Sequence, residues 1–162
     1  MLAKDRGDRK IAPLVAELGE RARLGTIRYA ADFSDVAFVS FYWTRVEAVV
    51  GAIGDGLEGK VVIETMNPLG VTSEFVHFHD HDFRHNNSTA KYLEERLPKA
   101  RVVKTFNRLA APLLEAAAWM ESPVRPSVFY VTDAFEGGQV ARQLIEDAGL
   151  VPVNAGPLKG AR

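Results

Sequence analysis

The sequence predicts a three-layer α/β domain in which helices cover both faces of a parallel sheet. Short runs of β-branched and other apolar residues alternate with stretches whose apolar residues recur at helical spacing. Runs such as 36–41 (VAFVSF) and 60–64 (KVVIE) are apolar at successive positions, which is typical of strands buried on both faces of a parallel sheet. The 162 residues suffice for one core, so we expect a single domain over 1–162.

The predicted strands are short apolar runs bounded by glycine, proline or polar residues. In chain order they cover 26–29, 36–41, 60–64, 101–105, 127–131 and 150–154. The predicted helices lie before the first strand and between later ones, where apolar residues recur at every third or fourth position. They cover 11–18, 46–53, 88–97, 109–120 and 139–148. A long polar connection remains between the third strand and the third helix.

Residues that start or stop helices set several of these boundaries. Pro13 has no N–H, so the first helix is expected to begin near Ala12, and Gly19 is expected to end it. Thr44 and Glu47 have the spacing of a capping box for the second helix.

Composition and charge exclude several classes of protein. The chain has 20 Lys and Arg against 21 Asp and Glu, a formal net charge of -1, which disfavours nucleic-acid binding through a basic surface. No apolar run approaches the ~20 residues that span a bilayer. The first residues are too polar for a signal peptide. The chain has no cysteine, which excludes disulfides and thiolate metal sites, so we expect a cytoplasmic protein without membrane or nucleic-acid partners.

Three of the predicted strands end at an asparagine or are followed by one within three residues: Asn67, Asn107 and Asn154. Ligands bind beyond the carboxyl ends of strands in parallel sheets, so three asparagines at one edge would form a polar binding rim. An amide side chain suits this position because it donates and accepts hydrogen bonds without carrying charge. The alternative is that Asn-Pro and Asn-x-Gly only form turns.

Four segments resemble one family. Residues 5–19 (DRGDRKIAPLVAELG), 60–70 (KVVIETMNPLG), 97–107 (LPKARVVKTFN) and 153–162 (VNAGPLKGAR) are similar, in this order, to the NADP oxidoreductases that depend on coenzyme F420, a deazaflavin. That family is related to the N-terminal domain of pyrroline-5-carboxylate reductases. The resemblance implies a Rossmann-like domain that binds NADP(H) and transfers hydride to or from a deazaflavin or another small acceptor.

The resemblance also implies roles for individual residues. The implied catalytic residues are Asn67 and Asn107, beside the nicotinamide and the second ring. The implied cofactor-binding residues are Arg6, Ser40, Phe41, Tyr42, Asn67, Pro68 and Phe106. Arg6 would pair with the 2′-phosphate of NADP. Asp5 would oppose that phosphate, which leaves NAD as an alternative cofactor. Tyr42 stands where the family usually has proline, so we expect either a narrower path for the nicotinamide ribose or a site that is no longer used.

Family members open with a strand, a Gly-x-Gly-x-x-Gly turn and a helix that hold the pyrophosphate. Residues 1–3 resemble the end of the second strand, so the first strand and helix are expected to be missing. Gly51, Gly54 and Gly56 follow a helix and are predicted to be a helix stop and loop. Without the first strand, 36–41 would keep an unpaired edge, so we expect either that the sequence is shortened or that the chain forms a homodimer.

The segment 76–85 (VHFHDHDFRH) contains every histidine of the chain. If it were extended, His77, His79 and His81 would lie on one face and could bind zinc. The alternatives are a solvated loop, or a single histidine that contacts a second substrate.

Three functions therefore remain open: an NADP-dependent oxidoreductase, which we favour, a non-catalytic dimerising module, and a metal-binding protein. Lys104, inside a buried strand, is predicted either to form a structural ion pair or to contact an anionic substrate.

Overall fold

Strands and helices alternate through most of the chain, as the sequence predicts. The computed structural model describes residues 2–3, 11–72, 74, 76–79, 83, 87–118 and 124–161. The strands within these residues are β1 (Leu2–Ala3), β2 (Leu24–Gly25), β3 (Val36–Val39), β4 (Val61–Glu64), β5 (Leu69–Val71), β6 (His77–His79), β7 (Arg101–Thr105), β8 (Ser127–Thr132) and β9 (Val151–Asn154). The α-helices are α1 (Ala12–Leu18), α2 (Ile27–Phe33), α3 (Val46–Ile53), α4 (Thr89–Arg96), α5 (Ala111–Ala118) and α6 (Phe135–Asp147). None of these helices combines the length and the apolar character that crossing a bilayer requires.

The central sheet has five strands in the order β3-β4-β7-β8-β9. The pairs β3–β4, β4–β7 and β8–β9 are parallel, but β7 and β8 are antiparallel, with Thr105 opposite Tyr130. The prediction of a parallel sheet is therefore right for most of the sheet and wrong for the β7–β8 pair. The apolar runs could not reveal this, because a strand buried on both faces has the same pattern in either direction.

Two apolar clusters lie on opposite faces of the sheet, which confirms the three predicted layers. One cluster joins α2, α3 and α4 to the sheet through buried side chains that include Val49, Val62 and Leu93. The other joins α5 and α6 to the opposite face through side chains that include Ile63 and Ile145. Val62 and Ile63 are neighbours in β4, and both have 0% exposure, as expected for a strand covered on both sides.

The first two strands form a separate ladder. Leu2 pairs with Leu24 and Ala3 with Gly25, in parallel. Among the described residues, β3 is hydrogen-bonded in the sheet to β4 alone, so it is an edge strand of the five-stranded sheet. Phe38 on this strand is 55% exposed.

The predicted helix boundaries are confirmed at several places. Helix α1 begins at Ala12 with proline in its first turn, and Gly19 ends it at a φ of 56°. Gly51 lies within α3, and Gly54 ends that helix at a φ of 57°. The predicted helix stop is therefore confirmed at Gly54. Gly56 lies in the following turn, as predicted.

Other local predictions are wrong, each for a local reason. Residues 26–29 form no strand, because Thr26 caps α2: its Oγ1 accepts a hydrogen bond from the backbone N–H of Tyr29 at 3.1 Å. Thr44 caps no helix, because it lies inside the 3₁₀ turn Trp43–Arg45 and α3 begins after Arg45. The polar connection before α4 contains the antiparallel pair β5–β6, which the sequence analysis missed.

Candidate functional site

Three adjacent strands end at the same edge of the sheet. Val39 of β3 pairs with Glu64 of β4, and Glu64 pairs with Lys104 of β7, all in parallel. The segments that follow, 40–42, 65–68 and 106–107, therefore leave the sheet side by side. This edge is the one at which parallel α/β sheets bind ligands.

Asn67 and Asn107 are joined by two hydrogen bonds across this edge. Nδ2 of Asn67 donates to the backbone oxygen of Asn107 at 2.9 Å, and Nδ2 of Asn107 donates to Oδ1 of Asn67 at 3.0 Å. Both side chains are half-buried. Within the described part of the chain, each amide keeps at least one N–H and one oxygen lone pair without a hydrogen-bond partner. The pair can therefore still donate to and accept from a ligand.

Asn154 does not join this pair, so the expectation that three asparagines share one rim is wrong for the third. It lies on β9, three strands away from β4 in the sheet. Its Oδ1 accepts a hydrogen bond from the backbone N–H of Gly156 at 2.8 Å, which closes a turn. The separation is lateral: Thr105 pairs with Tyr130 and Tyr130 with Asn154, so Asn154 is level with the end of β7 but lies two strands beyond it in the sheet.

Phe106 lies between β7 and Asn107 in a strained backbone conformation. Its φ is 60°, and it is the one non-glycine residue with positive φ among the described residues. This left-handed conformation costs about 1 kcal/mol or more for a residue with a side chain. It turns the chain sharply after Thr105, and the next residue is Asn107. The half-buried ring of Phe106 packs on the α5–α6 side of the sheet and lies 6.2 Å from the ring of Phe38.

The remaining predicted residues take different positions around the edge. Ser40 is exposed, and Phe41 is half-buried and packs against the cluster beneath α3 and α4. Tyr42 is 52% exposed, and its ring lies 6.0 Å from that of His77 in an edge-to-face arrangement. Pro68 is half-buried and directly follows Asn67.

The β5–β6 pair begins directly after Asn67 and Pro68, and its second strand contains His77 and His79. Gly70 lies opposite Phe78, and a methyl group at Gly70 would overlap the end of the Phe78 ring. The phenyl ring therefore covers the glycine backbone directly, and a larger residue at position 70 would require the ring to move.

A buried ion pair underlies the edge. Nζ of Lys104 donates to Oε2 of Glu64 at 2.7 Å, to Oγ1 of Thr89 at 2.7 Å and to the backbone oxygen of Met66 at 2.6 Å. Oγ1 of Thr89 donates to Oε2 of Glu64 at 3.0 Å, and the backbone N–H of Met66 donates to Oε1 of Glu64. Glu64 and Lys104 are 0% and 7% exposed. Of the two alternatives predicted for Lys104, the structure shows the ion pair.

Burial shifts both groups of this pair. It raises the pKa of the Glu64 carboxyl above its usual value, while the charge of Lys104 and the hydrogen bonds to the carboxylate oppose the rise. Burial also lowers the pKa of the Lys104 ammonium, and Glu64 opposes that shift. Sequence reasoning missed the network, although Glu64 and Lys104 stand at the fourth position of two similar runs, 61–64 and 101–104.

Several predicted residues lie outside the described residues. Arg6 and Asp5 belong to this group, as does His81. Within the described ranges, no three His, Cys, Asp or Glu side chains lie together as a metal site would require. The backbone of His77 and His79 belongs to β6, and the side chain of His77 is exposed.

Comparison with known proteins gives a consistent result. A family model described as "NADP oxidoreductase coenzyme F420-dependent" matches residues 1–68. The metalloreductase STEAP3 of Rattus norvegicus is 25% identical over 133 residues, which are 82% of this chain and 25% of that protein. The chain thus spans about a quarter of the length of this curated relative.

Solved structures share the fold at low sequence identity. A protein of Arthrobacter sp. FB24 assigned as an F420-dependent NADP-reductase has a TM-score of 0.74 and 20% identity, over 86% of this chain and 62% of that chain. The protein SMa0349 of Sinorhizobium meliloti has a TM-score of 0.79 and 22% identity, over 97% and 73%. A pyrroline-5-carboxylate reductase of Coxiella burnetii has a TM-score of 0.53 and 16% identity, over 93% and 46%. Together, these matches confirm the predicted resemblance to the F420-dependent NADP oxidoreductases and the Rossmann-like fold.

Proposed function

We propose that this chain is an oxidoreductase domain that holds the nicotinamide end of NADP(H) at the edge where β3, β4 and β7 end. The observation that carries the proposal is the reciprocal hydrogen bonding of Asn67 and Asn107 across two adjacent strand ends. The match of residues 1–68 to the NADP oxidoreductase family supports it.

The side chains at this edge suit a nicotinamide. A carboxamide presents one acceptor and two donors, and the unused N–H and oxygen of the asparagine pair complement both. The amides carry no charge, so they would orient the ring without favouring either oxidation state through charge. Phe38 and Tyr42 offer exposed aromatic surface nearby, against which a second planar ring could pack. When bound, NADPH would supply the hydride, and the protein would supply position and exclusion of water.

The proposal assigns the 2′-phosphate of NADP to Arg6. A guanidinium binds a phosphate with two parallel hydrogen bonds, and it stays charged at every physiological pH. The neighbouring Asp5 would weaken this contact, so NAD stays the alternative cofactor. Titration of Arg6→Met with NADPH and with NADH tests this assignment. If Arg6 binds the 2′-phosphate, the variant binds NADPH more weakly than the wild type does, and its affinity for NADH does not change.

The asparagine pair is tested by Asn67→Ala with Asn154→Ala as the matched control. Both variants remove an asparagine near a strand end, but only Asn67 lies in the pair. Binding is measured by calorimetry with NADPH and with reduced nicotinamide mononucleotide, which lacks the adenosine half and reports on the nicotinamide end alone. We expect Asn67→Ala to weaken binding of both probes about tenfold, since one displaced hydrogen-bond pair costs about 1.4 kcal/mol. Equal affinities for both variants would refute the placement.

The hydride acceptor is a separate part of the proposal. We infer a planar acceptor of the deazaflavin type, because the matching family model is described as F420-dependent and aromatic side chains stand at the edge. A ferric chelate is the contrasting acceptor, since a relative is named as a metalloreductase. Oxidation of NADPH followed at its near-ultraviolet absorbance, with deazaflavin, flavin or ferric chelate supplied in turn, distinguishes them.

A non-catalytic dimerising module is the second candidate. One observation favours it: in the described part of the chain, β3 has a sheet partner on one side only, and Phe38 on it is exposed. This candidate predicts a dimer by sedimentation at every concentration tested and no heat of NADPH binding. A monomer that binds NADPH would exclude it.

A further inference from the structure

The residue that precedes Asn67 is held at both of its backbone polar groups by buried side chains. Glu64 accepts the N–H of Met66, and Lys104 donates to its carbonyl oxygen at 2.6 Å. Met66 itself is 4% exposed, so its side chain anchors the same residue in the core. The chain therefore reaches Asn67 from a fixed peptide.

The three donor hydrogens of Lys104 are all used, and they join three elements. One goes to Glu64 of β4, one to Thr89 at the first turn of α4, and one to the backbone of the loop after β4. An ion pair that served only to neutralise charge would need the first of these contacts alone. The other two connect β7 and α4 to the peptide next to Asn67.

Stability alone is a poor explanation of such a pair. The cost of removing two charges from water roughly cancels their attraction, and apolar replacements of buried pairs are often neutral or stabilising. What charged groups add here is direction, because an ammonium and a carboxylate hold a backbone N–H and a carbonyl oxygen at defined positions.

We propose that Glu64 and Lys104, bridged by Thr89, are positioning residues that set the location of Asn67 and thereby the geometry of its hydrogen bonds with Asn107. Neither charged group reaches the ligand edge itself, since both are buried beneath it. The effect on nicotinamide binding rests on the proposed function, whereas the effect on the asparagine pair does not.

The test uses two variants that spare the fold in different ways. Glu64→Gln with Lys104→Met removes both charges together, so no unpaired buried charge is left. Thr89→Val replaces a hydroxyl by a methyl group of similar size and breaks the bridge alone. Ile53→Ala is the matched control, because Ile53 is 3% exposed in α3, and α3 ends just before the turn that leads to the start of β4, at the opposite end of the strand.

The readout is the side-chain amide signals of Asn67 and Asn107 in two-dimensional ¹⁵N NMR of the ligand-free protein, assigned with Asn67→Ala and Asn107→Ala. We expect both positioning variants to shift these signals, and Ile53→Ala to lower stability without shifting them. Unchanged amide signals in folded Thr89→Val, or in the folded double variant, would overturn the proposal. If the double variant does not fold, Thr89→Val decides.

Nicotinamide binding is then measured on the same variants. We expect the affinity for reduced nicotinamide mononucleotide to fall about tenfold in Thr89→Val, a loss of about 1.4 kcal/mol, and to stay unchanged in Ile53→Ala, although both variants lower the urea midpoint. Shifted amide signals with no binding in any variant, the wild type included, would refute the proposed function and leave the positioning role intact. Shifted signals with unchanged binding would refute the link between position and binding.

Discussion

Removal of the Lys104 charge alone tests the electrostatics of the buried pair most directly. Lys104→Met deletes three hydrogen bonds of 2.6 to 2.7 Å and leaves the Glu64 carboxylate without a cation at 0% exposure. An unpaired buried charge destabilises a protein by about 3–5 kcal/mol. Since the free energy of unfolding of a single domain is about 5–15 kcal/mol, this is a large fraction of the total.

The loss should depend on pH, and its sign follows from the carboxyl group. Burial already raises the pKa of Glu64 above its ordinary value of 4.5, and Lys104 is among the groups that hold it down. Without Lys104 the pKa in the folded state rises further, so between pH 4.5 and that raised value the folded protein binds a proton that the unfolded chain does not. Stability of the variant therefore increases as the pH falls through this window, and the deficit is largest at neutral pH.

Urea unfolding at pH 7.5, 6 and 5, followed by tryptophan fluorescence, measures the effect. With a slope of about 2 kcal/mol per molar urea, the midpoint should fall by about 2 M at neutral pH and recover in part at pH 5. Arg142→Met is the control, because Arg142 and Glu146 form an exposed ion pair on α6 and its loss should leave the midpoint unchanged. A deficit below about 1 kcal/mol, or one that is equal at all three pH values, would refute the reasoning.

Three further predictions concern local structure and are checked by urea unfolding. Phe106→Gly should be more stable than Phe106→Ala by about 1 kcal/mol, the reverse of the usual order, because the φ of 60° suits glycine; the usual order would show that the backbone relaxes. Gly70→Ala should cost about 1 kcal/mol, the low end for overpacking, since the new methyl group meets the end of the exposed Phe78 ring, which must move aside, whereas Gly51→Ala, with open space at the new methyl, should not destabilise. Thr26→Ala should cost about 1 kcal/mol through loss of the α2 cap, and no change would mean that the cap is dispensable.

Most strands could be predicted because their residues are buried on both faces. Residues 61–64 and 101–105 lie in the middle of the sheet, so nearly every position must be apolar or paired, and the run is visible in the sequence. The strand prediction for 26–29 is wrong because the alternation of its side chains is compatible with a strand. The contact that decides the structure is one hydrogen bond, from the backbone N–H of Tyr29 to the hydroxyl of Thr26. Such a cap is decided by competition between local hydrogen bonds, which periodicity does not report.

The candidate site was predictable where it depends on strands that are neighbours in the sheet, and unpredictable where it depends on the place of the last strand, which the apolar pattern does not reveal. Asn67 and Asn107 follow neighbouring parallel strands, so their meeting follows from the βαβ pattern. Asn154 follows a similar apolar run, yet it lies elsewhere because β9 is two strands beyond β7 in the sheet, and its side chain closes a turn with Gly156.

The sequence by itself determined the layered α/β architecture, the family resemblance and the asparagines to examine, since these depend on residue type and spacing along the chain. Tertiary structure alone decided which strand ends meet, the strained turn at Phe106 and the buried Glu64–Lys104–Thr89 network. Each of these depends on residues far apart in the chain, or on a positive φ that a phenylalanine in the sequence does not predict. The physical reason is that burial selects the residue type at each position, so it is visible in the sequence. The arrangement of the strands and the pairing of polar groups arise only when distant parts of the chain come together.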